Sequence, residues 1–535
     1  MKPSYIYNVK AMLGALVLAG IVAGCADNEI VDITPADNSS QRQEPYVPES
    51  DDISRALAAI EGISDVTIDR ETYGNRKAYY FFVEMPVSHR EETGQTFRLR
   101  CALEYEGAEA PVVFYTSGYD VGNNTNQLDP NEMKGFLKAN MLHMEHRYFG
   151  DSQPQSLNDI SYKYLWTEEC AYDMHRVVTL LKEKFFTGDN QWVSTGLSKG
   201  GITSALYAYY SDLHGWDDMD LYVPFGAPFF TGTPTSSEDM ALGTYTVNVC
   251  GSGYDEGSDE DKAFKNLRKF PNHIANGKPL RDACLRKLWQ KSPALYLAVL
   301  KAYPDNIEQA ATAVVLSEFY ENLSNKFSYV PYSKWAKLVP DPGIATRPEA
   351  TAEDIAKVVE FIFTTSEEMA DMLSSDDEDL LQTRGYTTDE VRQHRQNGER
   401  FESYYIQAIR ELGSKRYDYS LLNEGCFLTA EVAAEINANV SELEGLYKDV
   451  YPNQWDGGEL MKNVRNWLHT TGKHLLFVYG AQDPWTGAAI PDITDNVNVH
   501  KVLAPGVGHS NDFMTGFDKN TSLTIQSIIS SYIKH

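Results

Sequence analysis

Gln191-Trp192-Val193-Ser194-Thr195, then Gly196-Leu197-Ser198-Lys199-Gly200, then the stretch from Gly200 to Tyr210 decide the fold. The first five residues read as a short strand. The next five fit G-x-S-x-G. The third stretch reads as a helix that begins with small residues. The pentapeptide alone is a weak signal; its place between a strand and a helix is what gives it meaning. In that setting the turn is tight and strained, and the serine hydroxyl projects above the end of a sheet. Glycine on both sides lets strand and helix approach each other around Ser198. A lone hydroxyl is a poor nucleophile, so this reading requires a histidine base and a carboxylate to orient it.

Working outward, residues 76–86 and 96–105 read as strands joined by a polar turn, and 110–115 as a short buried strand closed by Ser117-Gly118. Strands are also expected at 139–146 and 221–225. Thr167 reads as a helix N-cap, with Glu168 and Glu169 set against the helix dipole and Met174, Val177, Val178 and Leu181 at helical spacing. After about residue 235 the texture changes to charged helical segments at 260–269, 280–302, 306–323, 352–373, 388–412 and 430–448. Strands return at 474–479 and 497–503, and a final helix carries Leu523, Ile525, Ile528, Ile529, Tyr532 and Ile533. The pattern predicts an α/β sheet interrupted by a helical insertion. The expected boundaries are a leader at 1–24, a flexible tether at 25–52, a first core part at 53–235, a helical cap at 236–468 and a second core part at 469–535. The acidic runs Asp255–Asp261 and Asp376–Asp379 read as solvated loops.

The partners of Ser198 should follow later strands in the order acid, then histidine. Asp483 follows the 474–479 strand, and His509 follows the 497–503 strand through a Pro505-Gly506-Val507-Gly508 loop. Asp492, Asp495 and Asp512 are the spare carboxylates. The backbone N–H of Lys199 is the expected oxyanion donor, with a second from the Ser117-Gly118-Tyr119 loop, at Tyr119. The Lys199 side chain reads as a solvated or ion-paired group and is not assigned as a base. His143-Met144-Glu145-His146 lacks the spacing of a zinc peptidase, so neither metal nor cofactor is expected. Glu145, His146 and Arg147 read as a structural network at a strand end, or, for Glu145, as a partner for a substrate ammonium.

The 535 residues carry 47 Lys and Arg against 76 Asp and Glu, a net charge of −29. Nucleic acid is a poor partner for such a chain. No apolar run is long enough for a spanning helix. Lys2 and Lys10 precede an uncharged stretch from Ala11 to Gly24, the size of a signal-peptide core, which ends in Val22-Ala23-Gly24-Cys25. This resembles a bacterial lipobox. It implies an exported protein held at an envelope membrane, outer membrane or cell surface, through lipid on Cys25 alone. The other cysteines are Cys101, Cys170, Cys250, Cys284 and Cys426, an odd set without a CxxC pair, read mainly as buried structural thiols.

Taken together, Glu145-His146-Arg147-Tyr148-Phe149-Gly150, Gly196-Leu197-Ser198-Lys199-Gly200-Gly201, Tyr479-Gly480-Ala481-Gln482-Asp483-Pro484-Trp485 and Gly508-His509 are similar to the secreted tripeptidyl aminopeptidases, the prolyl tri/tetrapeptidyl aminopeptidase family. More distantly they resemble prolyl carboxypeptidase and dipeptidyl peptidase II. The resemblance spans roughly residues 75–535. It implies an α/β-hydrolase core with a helical cap over the site, catalysis by Ser198, Asp483 and His509, and Trp485 near the substrate. It also implies release of short peptides, tri- or tetrapeptides, from free N-termini, often after proline. Where the distant relatives have Ser-Tyr-Gly-Gly this chain has Ser198-Lys199-Gly200-Gly201, so their finer substrate rules do not carry over. The alternatives are an esterase or acyl hydrolase of the same fold and a non-catalytic binding lipoprotein. Peptides are the expected partners, and the oligomeric state is left open.

Overall fold

The structure is a computed structural model that describes residues 50–534, apart from 71–75, 123–131, 155–161, 231–244, 292, 375–402, 405, 414–418, 420, 441–455 and 510–515. The leader, most of the tether, Cys25 and the acidic run 376–379 lie outside the described residues, as does the spare carboxylate Asp512.

Nine strands form one sheet: β1 (Ile63–Arg70), β2 (Lys77–Pro86), β3 (Thr96–Glu104), β4 (Val112–Thr116), β5 (Asn140–Met144), β6 (Trp192–Leu197), β7 (Leu221–Phe225), β8 (Leu475–Gly480) and β9 (Val499–Ala504). Their spatial order is β1-β2-β3-β5-β4-β6-β7-β8-β9. The pairs from β1 to β5 are antiparallel and the rest are parallel. β4, β5, β6, β7 and β8 are short and almost wholly buried, the pattern of parallel strands covered on both faces. Alternate residues feed opposite layers. Val112 and Phe114 pack with the helices Thr167–Lys184, Lys199–His214 and Glu459–Thr470, whereas Val113 and Tyr115 pack with Met133, Ile525 and Ile529. β7 pairs with β8 across the whole insertion, Tyr222 opposite Leu475 and Phe225 opposite Val478. The arrangement is an α/β-hydrolase sheet interrupted after β7.

Several sequence expectations change. β1 was not anticipated; it is an edge strand in which Ser64 and Asp65 and a register shift between Ser64 and Thr67 interrupt the alternation, separating Ile63 from Val66 and Ile68 on the core face. Thr167 is the first helical residue instead of the N-cap, and its N–H is met by Glu411 Oε2 at 2.7 Å, a carboxylate from the insertion. The expected 280–302 helix is two, Lys278–Lys291 and Pro293–Ala302, because proline cannot continue the hydrogen-bond ladder.

The insertion has its own core, including Phe270, Phe319, Tyr320, Trp335, Phe361 and Ile362. Its C-terminal boundary falls earlier than 468. The Glu459–Thr470 helix buries Met461, Val464, Trp467 and Leu468 against the main layer and belongs to the sheet domain. The run Asp255–Asp261 is only partly a loop: Ser258 caps a helix at Asp259–Leu267, and Asp259, Glu260 and Asp261 fill its first turn. There they face the positive end of the helix dipole. Among the described residues no helix is long and apolar enough to cross a membrane.

Candidate active site

Ser198 lies between β6 and the helix Lys199–His214 with φ 57° and ψ −119°. A non-glycine residue at positive φ is strained and persists only where its surroundings fix it. Here Ser198 N–H donates to Phe225 O at 2.9 Å, and its carbonyl accepts from Ile202 N–H at 3.0 Å. Thr116 Oγ1, at the end of β4, donates to Gly200 O at 2.9 Å and to Thr195 O at 3.1 Å. Gly196 and Gly200 are required by this crowding: a Cβ on Gly196 would lie 2.5 Å from Thr116 O, and one on Gly200 would run into the same oxygen.

Asp483 and His509 meet. His509 Nδ1 lies 2.7 Å from Asp483 Oδ2, and the two are 7% and 1% exposed in that order. An N–H donated from Nδ1 leaves Nε2 with its lone pair, the tautomer a general base needs. Asp483 Oδ1 accepts from Trp485 N–H at 2.9 Å, so both carboxylate oxygens are fixed. The loops after β8 and β9 are tied together by Ala481 N–H to Ala504 O at 2.8 Å and Gln482 N–H to Val507 O at 2.9 Å. A Cβ on Gly226 would lie 3.3 Å from both Asp483 Oδ2 and the His509 ring. Since Ser198 N–H is bonded to the adjacent Phe225, the elbow and the His–Asp pair share one crest of the sheet. Among the described residues no hydrogen bond joins Ser198 Oγ to His509; catalytic contacts of this kind often tighten only on substrate. Of the spare carboxylates, Asp492 pairs with Lys501 and Asp495 with His469, so neither orients His509.

Tyr119 N–H donates to Ser117 Oγ at 3.1 Å, while Lys199 N–H, on the first residue of a helix, has no intrahelical acceptor. The Lys199 side chain departs from expectation. It is neither solvated nor ion-paired: it is 2% exposed, Nζ donates to Gly118 O, and among the described residues no carboxylate pairs with it. Burial pushes its pKa down to about 7.

Glu145, read as part of a structural network or as a partner for a substrate ammonium, takes the first of these roles. It is fully buried; Oε1 accepts from Val121 N–H at 3.1 Å, and Oε2 accepts from Asp151 N–H at 2.9 Å and Ser152 Oγ at 2.8 Å. It holds the 145–152 turn together, and burial pushes its pKa up to about 8. Arg147 is also structural, gripping Asp173 through Nε at 2.7 Å and Nη2 at 2.8 Å. The neighbouring His146 is buried and its pKa is pushed well down by desolvation.

Apart from Trp485, the sequence did not point to the aromatic surround. Trp485 lies 6.1 Å from the His509 ring at 45°, and Tyr329, at the end of the long Ile307–Tyr329 helix, meets His509 edge-on at 6.3 Å. Tyr329 is 46% exposed. A second insertion residue, Tyr245, donates from its hydroxyl to Ala481 O on the acid loop at 2.9 Å. The helix reading ended at 323, a turn and a half short. Pro331 was the available signal for a later stop. All five described cysteines are free thiols, four of them buried.

The family model of PS-10 peptidase S37 matches residues 46–264, which include the elbow. A prolyl tri/tetrapeptidyl aminopeptidase of Streptomyces mobaraensis is 25% identical over 480 residues, 90% of this chain and 82% of that protein. Among solved structures, a proline iminopeptidase of Mycobacterium smegmatis aligns over 84% of this chain and 98% of its own at 12% identity, with a TM-score of 0.35. A peroxisomal alpha-beta-hydrolase of Saccharomyces cerevisiae aligns over 86% and 91% at 11% identity, with a TM-score of 0.31. By these two sequence matches the chain is similar to the peptidase S37 family over residues 46–264 and to the Streptomyces aminopeptidase over most of its length, and it is a serine hydrolase.

Proposed function

We propose that this enzyme is a secreted exopeptidase that releases tri- or tetrapeptides from free N-termini, cutting after proline, through Ser198, His509 and Asp483. The observation that carries the reading is the buried His509–Asp483 hydrogen bond beside a strained serine elbow. Ser198 Oγ attacks the scissile carbonyl while His509 Nε2 takes its proton. Asp483 holds the Nδ1–H tautomer and stabilises the imidazolium that forms. The oxyanion meets Lys199 N–H first. Tyr119 N–H exchanges its Ser117 partner for the developing charge. His509 then returns the proton to the leaving amine, and water repeats the sequence on the acyl-enzyme. The preference for proline rests on the name of the Streptomyces relative.

Exo-specificity follows from the insertion, whose Tyr245 and Tyr329 stand on the acid and histidine loops. A cap in contact with those loops bars a folded chain from threading past Ser198, whereas a free end enters. With Glu145 committed to its own turn, the group that meets the substrate ammonium belongs to the insertion. Lipid on Cys25 would hold the enzyme at an envelope membrane; Cys25→Ala should move it from the detergent phase to the aqueous phase.

The test is a peptide library digested with and without N-terminal acetylation and read by mass spectrometry. Free peptides should lose three or four residues at a time, and acetylated ones should survive. Equal cleavage of both would indicate an endopeptidase or carboxypeptidase. Hydrolysis of short-chain esters without any peptide cleavage would indicate an esterase.

A further inference from the structure

The Lys199 side chain does something that the proposed reaction leaves unassigned. It runs back from the residue after the nucleophile into the layer beneath the 117–119 loop, where Nζ donates to the Gly118 carbonyl. Its ammonium lies 5.2 Å from the Tyr119 ring centre and 4.9 Å from that of Phe149. Both distances suit a cation over an aromatic face. Its Cγ would lie 3.1 Å from a Cβ on Gly118, whose φ of +74° belongs to glycine. The loop is also held by Tyr119 N–H to Ser117 Oγ at 3.1 Å, Ser117 Oγ to Tyr119 O at 2.8 Å and His146 N–H to Tyr119 O at 2.9 Å, but none of these bonds takes the Gly118 carbonyl. The Gly118 carbonyl and the Tyr119 N–H belong to the same planar peptide, so holding one end fixes the direction of the other. A buried ammonium without a carboxylate partner is costly, and a group of that kind invites a functional reason. Cys170 and His146 also face it, and neither supplies a negative charge at neutral pH.

We propose that Lys199 is the positioning residue of the oxyanion hole: its N–H is one donor, and its side chain sets the peptide that carries the other. One residue thereby locks the nucleophile elbow to the loop after β4. The inference rests on Ser198 being the nucleophile, which fluorophosphonate labelling of the wild-type enzyme tests separately.

The experiment measures kcat and KM on a free-amino peptide substrate, with inhibition by a peptidyl aldehyde that mimics the tetrahedral state. Lys199→Met keeps the length and the apolar stem but removes the donor. The expected result is a fall in kcat on the order of 10²-fold with KM within about threefold, and a matching loss of aldehyde affinity. Lys199→Arg, which restores a donor, should recover part of the loss. Should Lys199→Met not fold, Lys199→Gln, too short to reach Gly118, is expected to show the same split. Wild-type kcat in a folded Met or Gln variant overturns the inference. So does a loss confined to KM, or misfolding of both variants, which would make Lys199 a folding residue only. Absence of labelling at Ser198 in the wild type would instead remove the reading beneath it.

Discussion

The crest of the sheet and the helical insertion hold their residues by different means. On the crest, each proposed catalytic side chain follows the C-terminal end of a parallel strand: Ser198 after β6, Asp483 after β8 and His509 after β9. Backbone hydrogen bonds between neighbouring loops fix their spacing, as with Ala481 to Ala504 and Ser198 to Phe225. The insertion contains no strand among the described residues and is held by side-chain packing around Phe270, Phe319 and Trp335. Backbone-fixed geometry suits chemistry that fails when atoms move by an ångström, whereas helix packing can vary the cleft without disturbing it. Changes on the crest should therefore strike turnover, and changes in the insertion should strike recognition.

The sharpest break in that division would come from the nucleophile. Ser198→Ala should lower kcat on the order of 10⁶-fold while leaving the melting temperature near that of the wild type. Asp483→Asn should cost roughly 10⁴-fold, because the amide presents the wrong histidine tautomer. Near-normal turnover in either variant, on the same peptide substrate, would move catalysis away from this crest.

Next in size is a structural effect beneath the crest. Arg147 is fully buried and its forked bond to Asp173 compensates a carboxylate that is equally buried. Arg147→Ala should destabilise the fold by about 3–5 kcal/mol, read from urea unfolding, because it leaves that buried charge with His89, 2.8 Å away, as its remaining partner. A loss below about 1 kcal/mol would show that water reaches Asp173 once the arginine is gone.

The insertion offers a smaller effect. Tyr329→Ala should raise KM several-fold, up to about tenfold, with kcat changed much less, as expected for removing one aromatic wall of a binding cleft. A dominant fall in kcat would mean that Tyr329 positions His509 and would blur the line between the two regions.

A further effect is one of pH. The folded pKa of Glu145 is about 8 against an ordinary 4.5, so the folded state holds this proton more tightly than the unfolded state does. The group's contribution is full below pH 4.5 and is lost as pH rises toward 8. Glu145→Gln cannot ionise, so the stability of the wild type relative to this variant should decline across that window in urea titrations. A flat difference would show that the three donors around the carboxylate outweigh its burial.

The same division explains what could be read in advance. Strands β4, β7 and β8 are largely apolar runs, and the elbow, Asp483 and His509 sit where strand ends and glycines announce them. Side-chain meetings across long sequence distances leave no such mark. Glu411 meets the start of the Thr167–Lys184 helix from 244 residues away, and Tyr329 meets His509 from the end of a helix whose pattern faded early. Lys199 was misread because a lysine beside a serine carries no local sign of burial. Its setting depends on Tyr119 and Phe149, brought in by other loops. For Glu145 the reading left two roles open, although its neighbours in sequence, Asp151 and Ser152, already supplied donors for the structural one.

The central claim, an activated Ser198 on this crest, is tested most directly by treating the full-length enzyme with a fluorophosphonate and mapping the adduct by peptide mass spectrometry. The predicted result is one adduct, on Ser198, formed in the wild type and lost in His509→Ala. An adduct on another serine, or full peptidase activity in enzyme that takes no label at all, would contradict it.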